Sequence, residues 1–279
     1  MVSLSIITIN YNNAAGLAKT IESVLSQDLR ECEFIIVDGN STDNSNEIIK
    51  SNESQITKWV SESDKGPYDA MNKGVLLSRG KYCLFMNSGD SFYDDKVLSR
   101  ILPMLDDTDV ITGDVWLSFG RRVPAPQSVT MEFLFAKTLC HQSSFIKRSL
   151  LIAFPYDISL RYVADWKFWL ETIIFKSSSY KGINELIANY DWNGMSTVNY
   201  AAVSKERERV LMALFPKRVL SDYERFVVGR NWEEKLYIEM QSSKHHRVFY
   251  KINVLLIKVM AWFKRGTSWI DKYPLNKFN

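Results

Sequence analysis

The sequence predicts an α/β protein: a mostly parallel sheet flanked by helices, followed by a helical C-terminal extension. Three observations carry this. Apolar runs such as Leu4-Ser5-Ile6-Ile7-Thr8-Ile9, Glu33-Phe34-Ile35-Ile36-Val37 and Tyr82-Cys83-Leu84-Phe85-Met86 lack polar alternation, as strands do when both faces of their sheet are covered. Segments with apolar residues at helical spacing separate them, the pattern of strand-helix-strand units with right-handed crossovers. From about residue 199 onward the pattern is helical, without a strand signal.

The first strand, residues 4–9, runs into the polar turn Asn10-Tyr11-Asn12-Asn13 and then a helix carrying Leu17, Ile21, Val24 and Leu25 on one face. The second, residues 33–37, stops at Asp38-Gly39-Asn40-Ser41-Thr42-Asp43, and Ile48 and Ile49 belong to a short helix beyond it. A third strand is expected over 56–60, then Ser61-Glu62-Ser63-Asp64-Lys65-Gly66-Pro67 and a helix over 68–78 that Pro67 opens at its first turn. The fourth strand is the centre of the pattern. The breaker Arg79-Gly80 precedes five apolar residues, which end in the turn Asn87-Ser88-Gly89-Asp90. A fifth strand fits 109–117, and Val123-Pro124-Ala125-Pro126 breaks the regularity. Beyond it come a short helix at 131–137, a turn into a strand at 140–146, and a helix entered at Val163-Ala164-Asp165-Trp166 with Phe168, Trp169 and Ile173 on its apolar face. A last strand at 187–190 and a loop at 191–196 complete the series.

Composition bounds the function. At 279 residues, with 46% hydrophobic and 24% charged residues, the chain has material for a large core and is not of a disordered or fibrous class. A net charge of +3 is too small to indicate a nucleic-acid partner. Cys32, Cys83 and Cys140 are odd in number and far apart, so neither a disulfide framework nor zinc spacing follows, and a reducing compartment is expected. The N-terminus reads as a strand and not as a signal peptide, and no run of about 18 apolar residues suggests a membrane span.

Three acids, Asp38, Asp64 and Asp90, close strand ends and are flanked by Gly, Ser or Asn, residues that let a backbone approach a ligand. In open α/β sheets ligands collect beyond the carboxyl ends of the strands, so these acids either form a shared rim for a nucleotide and a divalent cation or are unrelated caps and turns. The dinucleotide fingerprint G-x-G-x-x-G is absent after the first strand, and no G-x-x-x-x-G-K-[ST] occurs, which removes support for hydride transfer and P-loop chemistry.

Four motifs in order resemble those of family 2 glycosyltransferases with the nucleotide-sugar-binding, Rossmann-like GT-A fold. They are Ser5-Ile6-Ile7-Thr8-Ile9-Asn10-Tyr11-Asn12, Val37-Asp38-Gly39-Asn40-Ser41-Thr42-Asp43, Asp64-Lys65-Gly66-Pro67-Tyr68-Asp69-Ala70-Met71-Asn72-Lys73-Gly74, and Gly80-Lys81-Tyr82 leading to Asn87-Ser88-Gly89-Asp90. The resemblance covers residues 1–115 and continues more weakly to about 197 through His141-Gln142, Asp165-Trp166 and Gly194-Met195-Ser196. It implies an inverting transfer of a sugar from a nucleotide-diphosphate sugar to a saccharide, lipid-linked in the bacterial cell-surface polysaccharide pathways it resembles. Asn10, Asp38, Asp64, Asn72, Asn87 and His141 would bind the nucleotide sugar, with Asp38 at the base or ribose and Asp64 beside the base. Asp90 would hold Mn²⁺ or Mg²⁺ on the diphosphate. Asp165 would be the base that takes the acceptor hydroxyl's proton, a role that contributes about 10²–10⁴-fold. The family's usual Asp-x-Asp or Asp-Ser-Asp-Asp pattern is here Asn87-Ser88-Gly89-Asp90, so Asp90 alone anchors the cation and weak binding before the donor arrives is expected. That reduction leaves an inactive nucleotide-sugar-binding scaffold as an alternative; a nucleotidyltransferase on a similar sheet is a third, without the basic Gly-rich loop it needs.

On the residues alone, Asp165 also suits a first-turn acid favoured by the helix dipole, His141 a structural histidine, and Trp166 with Trp169 either a floor for an acceptor sugar or core. Residues 1–198 are expected to form the catalytic domain and 199–279 the extension. Within the latter, residues 244–265 join an apolar centre to basic flanks, which suits a membrane surface as well as the catalytic domain or a second copy of the chain. A cytoplasmic protein, peripheral on the inner membrane face, is the expectation.

Overall fold

The computed structural model describes residues 2–190, 199–224 and 252. The chain divides into two compact units, Met1–Leu220 and Ser221–Asn279, and the first, which holds the fold and the site, extends past residue 198. The loop expected at 191–196 and, apart from Ile252, the segment 244–265 lie outside the described residues. Among the described residues no helix is long and apolar enough to cross a membrane.

One sheet of nine strands organises the unit. Strands β1 (Leu4–Asn10), β2 (Cys32–Asp38), β3 (Lys58–Ser61) and β4 (Tyr82–Phe85) pair in parallel in the order β3-β2-β1-β4. The fully covered runs read in the sequence are β1, β2 and β4. Leu4, Ile6, Ile7, Phe34, Ile35, Ile36, Leu84 and Phe85 are all buried, and burying each such side chain contributes about 1.5–3 kcal/mol. Beyond β4 the sheet becomes mixed. β8 (Ser144–Lys147) runs antiparallel to β4 and to β6 (Val110–Leu117), β9 (Tyr180–Tyr190) runs parallel to β6, and the short β5 (Ser91–Phe92) and β7 (Arg121–Val123) pair antiparallel to β9 and β6. β1, β2, β3, β4, β6 and β9 therefore point one way, so the sheet is mostly parallel in strand direction.

Helices cover the sheet. α1 (Ala14–Leu25) buries Leu17, Thr20, Ile21 and Val24, and the Asn13 side chain caps it by accepting from Gly16 N at 3.2 Å. α2 (Ser45–Ser51) follows β2. α3 (Pro67–Leu77) begins at Pro67 after Gly66 and buries Tyr68, Ala70, Met71, Gly74 and Val75. Then come α4 (Val97–Ile101), α5 (Met131–Ala136), α6 (Arg148–Ala153) and α7 (Ala164–Trp169), the last continuing as a wider π turn over Leu170–Phe175. α8 (Tyr200–Leu214) follows β9 in the chain.

The structure adds β5, β7 and α6 to the elements the sequence suggested. β9 begins seven residues earlier than the expected 187; between Gly182 and Ala188 it carries more residues than the stretch Thr112–Val115 of β6 that it faces, and such a bulge disturbs the side-chain alternation by which a strand is recognised. Trp166 and Trp169 are 2% and 0% exposed, so the floor for an acceptor sugar is corrected to core: both sit on the inward face of α7, and Trp166 Nε1 donates to Leu134 O at 2.7 Å.

Candidate active site

The parallel register brings the first set of polar residues together. Asn10 pairs with Asp38 across β1 and β2, and Asp38 with Ser61 across β2 and β3, so the three stand in one row at the carboxyl edge. Asp38 is fully buried. Its Oδ1 accepts from Asn10 Nδ2 at 2.8 Å and Ser41 Oγ at 2.6 Å, and its Oδ2 from Ser41 N at 2.9 Å and Ser61 Oγ at 2.7 Å. Burial alone would raise the Asp38 pKa, but the bonds from Ser41, Ser61 and Asn10 outweigh it and hold the carboxyl below its usual range. Asn10 is 4% exposed; its Nδ2 also reaches Ser45 Oγ at 2.9 Å, and its Oδ1 accepts from Ser88 Oγ at 2.7 Å. These two residues thus bind the ends of β1 and β2 to each other and to the turn after β4. Asn72 plays a similar part: its amide donates to Tyr156 O at 2.8 Å and accepts from Tyr156 N at 3.0 Å, latching α3 to the segment before α7. All three were expected at the nucleotide sugar, and in the structure their polar atoms hold protein to protein.

Asp64 lies beside Gly39. A Cβ added at Gly39 would stand 2.5 Å from Asp64 Oδ2 and 3.2 Å from the Tyr11 ring, so a side chain here would push against the Asp64 carboxylate. Asp64 Oδ1 accepts from Gly66 N at 2.8 Å, which orients the carboxylate. Tyr11 is 65% exposed, an aromatic face that shares the neighbourhood of Gly39 with the Asp64 carboxylate. The sequence held Tyr11 inside the first motif but without a part of its own; its exposure is what singles it out.

A second cluster forms where β4, α3, the turn at His141–Ser143 and α7 meet. Asp165, in the first turn of α7 and 14% exposed in its side chain, accepts from Tyr68 OH at 2.9 Å and from Trp166 N at 2.8 Å through Oδ1. Its Oδ2 is 3.3 Å from His141 Nδ1, and His141 Nε2 is 3.1 Å from Asn87 Nδ2. With a proton on Nδ1 the imidazole donates to Asp165 and accepts from Asn87. Burial would lower the His141 pKa, yet the bond to Asp165 and the charges of Asp165 and Asp90 prevail and move it upward. Burial and then the Asp165 charge keep the Tyr68 phenol protonated, as its donor role requires. Tyr68 was another residue of a recognised motif without an assigned role. Gln142, by contrast, is 2% exposed and offers no open face.

The turn that carries Asp90 is held from behind. Gly89 adopts φ +106°, a conformation costly for an aspartate, which accounts physically for a glycine where the family pattern has an acid. Thr20 Oγ1 of α1 donates to Asp90 O at 2.7 Å, and Lys19 Nζ to Gly89 O at 2.8 Å. On the same turn Asn87 Oδ1 is buried and has no hydrogen-bond partner among the described residues. A buried acceptor in that condition is costly unless something electropositive meets it, and oxygen donors such as this amide and the carboxylate of Asp90, on the same turn, are of the sort that suits Mg²⁺ or Mn²⁺ completed by phosphate oxygens. No group of three or more His, Cys, Asp or Glu that would hold a metal without such help occurs among the described residues.

Residues 5–163 match the profile of a family described as glycosyl transferase family 2. The chain belongs to that family. A "PGL/p-HBAD biosynthesis glycosyltransferase" of Mycobacterium bovis is 29% identical over 200 residues, covering 69% of this chain and 78% of that protein. An uncharacterized glycosyltransferase of Mycobacterium tuberculosis is 31% identical over 183 residues, 62% of this chain and 69% of the relative. Among solved structures, S. aureus TarS superposes with TM-score 0.60 at 18% identity, covering 88% of this chain and 74% of that one. The mannosyltransferase PcManGT of Pyrobaculum calidifontis, in complex with GDP-Man and Mn²⁺, gives 0.55 at 13% identity over 91% and 84% of the two chains. Glucosyl-3-phosphoglycerate synthase of M. tuberculosis, in complex with Mn²⁺, UDP and phosphoglyceric acid, gives 0.58 at 15% identity over 77% and 80%. These likenesses show the GT-A fold, and the family makes the chain a glycosyltransferase.

Proposed function

We propose that this glycosyltransferase inverts configuration: it moves a sugar from a nucleoside-diphosphate sugar to a hydroxyl of a saccharide carried on a lipid, at the cytoplasmic face of the membrane, in bacterial polysaccharide assembly. The observation that carries the reading is the Tyr68-Asp165-His141-Asn87 chain of contacts, which ties a carboxylate on α7 to the turn bearing Asp90. Asp165 is the base. Its Oδ1 is anchored by Tyr68 and the Trp166 N–H, which fixes the carboxylate's plane while Oδ2, contacted by His141, takes the acceptor proton.

Asp90 and Asn87 Oδ1 would hold a divalent cation, Mn²⁺ or Mg²⁺, whose charge when bound neutralises the departing diphosphate. The Mn²⁺ and nucleotides held by the two structural neighbours support this choice. Tyr11 stacks on the nucleobase and Asp64 accepts from its edge, while Asp38, Asn10 and Asn72 shape the cleft from behind. The relative's part in PGL/p-HBAD biosynthesis and the basic-flanked apolar run at 244–265 support a lipid-borne acceptor.

The test is a screen of UDP, GDP and dTDP sugars with and without Mn²⁺, reading thermal shift and release of nucleoside diphosphate, followed by NMR of the product's anomeric configuration. A nucleotide that stabilises the fold by mass action identifies the base. Metal-dependent turnover with inversion is expected; retained configuration, or turnover indifferent to a chelator, contradicts the reading.

A further inference from the structure

The family match ends at residue 163, yet the helix that follows the match at 200–214 reaches back to both segments that carry the second cluster. Glu206 accepts with one carboxylate oxygen from the N–H of Arg161, at 2.9 Å, and with the other from that of Tyr162, at 2.8 Å. These amides precede Asp165 by four and three residues and sit just before α7, whose N-cap Val163 supplies no side-chain acceptor. The neighbouring Arg207 donates through one guanidinium nitrogen to Leu134 O at 2.7 Å, Phe135 O at 3.2 Å and Lys137 O at 3.2 Å. Those carbonyls end α5 and start the segment leading to His141. A cation there also complements the negative end of that helix. The same guanidinium lies 4.4 Å from the centre of the Trp166 ring, and Trp166, next to Asp165 in sequence, gives its own Nε1 proton to Leu134 O. One carbonyl thereby joins α5, α7 and α8.

We infer that Glu206 and Arg207 are positioning residues for the Asp165–His141 pair: α8 clamps the approach to His141 with one side chain and the approach to Asp165 with the next. This rests on the reading of Asp165 as the base. Both act through the backbone segments they hold. Their effect is to hold the 3.3 Å contact between Asp165 and His141, which two separate segments would otherwise present independently. A misplacement of about 1 Å in such a pair costs on the order of 10²-fold in turnover.

The experiment uses the full chain and measures kcat, donor KM, nucleoside diphosphate affinity in Mn²⁺ and melting temperature for Arg207→Met, Arg207→Lys, Glu206→Gln and Asp165→Asn. The expected result is a kcat about tenfold to hundredfold lower for Arg207→Met and Glu206→Gln, with donor KM and nucleotide affinity within about twofold, and a smaller loss for Arg207→Lys, which keeps the charge but not the fork. In an Asp165→Asn background Arg207→Met adds no further loss, because a residue acting through Asp165 has nothing left to position. Unchanged kcat in both single variants overturns the inference, as does nucleotide affinity falling in step with kcat, which marks a general structural role. If Arg207→Met does not fold, Arg207→Lys and Glu206→Gln decide the matter in its place: a lower kcat at constant nucleotide affinity supports the inference, and unchanged kcat or a joint fall overturns it. Should Asp165→Asn itself keep full turnover, the base assignment fails instead, whatever α8 does.

Discussion

At the β1–β2 edge the Asp38 carboxylate is wholly buried and receives four hydrogen bonds, whereas at the β4–α7 corner Asp165, His141 and Asn87 form a chain ending on a buried oxygen that no described residue satisfies. Both regions are rich in polar side chains at strand or helix ends, and a sequence reading treats them alike. The difference is satisfaction. A saturated carboxylate is a structural joint; a cluster with an unmet acceptor and a histidine between an acid and an amide retains interaction energy for something that binds there.

The contrast between the two regions should break first at Asp90. Asp90→Ala is expected to lower turnover by about 10²–10³-fold, the scale for losing one preorganised charge-stabilising group, and to abolish the benefit of Mn²⁺, both read by steady-state assay across a metal titration. Asp38→Asn probes the opposite region and should leave the metal response intact while destabilising the fold by about 1–3 kcal/mol, as measured by urea denaturation, because an amide N–H₂ replaces an acceptor among four donors. Its pH dependence follows from the same bonds. The folded Asp38 pKa is lowered below the unfolded value of about 3.9, so its contribution is present above about pH 4 and lost as pH falls through the folded pKa. The stability gap between native protein and Asp38→Asn should therefore shrink in acid.

Two smaller effects bear on the base contacts proposed for Tyr11 and Asp64. Tyr11→Ala should weaken nucleoside diphosphate binding about tenfold, the lower end of the ~1–3 kcal/mol for one base stacked on an aromatic ring, with melting temperature unchanged. Gly39→Ala pushes a methyl group into the Asp64 carboxylate and should weaken the donor about threefold, under ~1 kcal/mol. Calorimetric titration reads both.

Much of this is legible in the sequence alone. The unalternating apolar runs mark β1, β2 and β4, and the turns after them mark the rim, because a strand covered on both faces announces itself in local composition. Asp165, His141 and Asn87 stand out in three distant stretches, and the structure brings them together. What local composition does not carry is partnership. That Asp38 faces Asn10 and Ser61 follows from sheet register, which links residues 28 and 23 apart in the chain, and that Asn72 holds Tyr156 follows from an 84-residue separation. The Trp166–Trp169 pair reads as a sugar platform or as core with equal ease until α7 is laid against α5. Glu206 and Arg207 give no signal at all: a charged pair on an amphipathic helix looks like a solvated face.

In the mechanism we propose, Asp165 acts as the base within a centre whose donor site is assembled independently of it. The most direct measurement is kcat of Asp165→Asn beside its affinity for the nucleoside diphosphate in Mn²⁺. We predict a fall in kcat of about 10²–10⁴-fold with affinity unchanged; turnover at the native rate, or nucleotide binding lost together with it, would contradict the account.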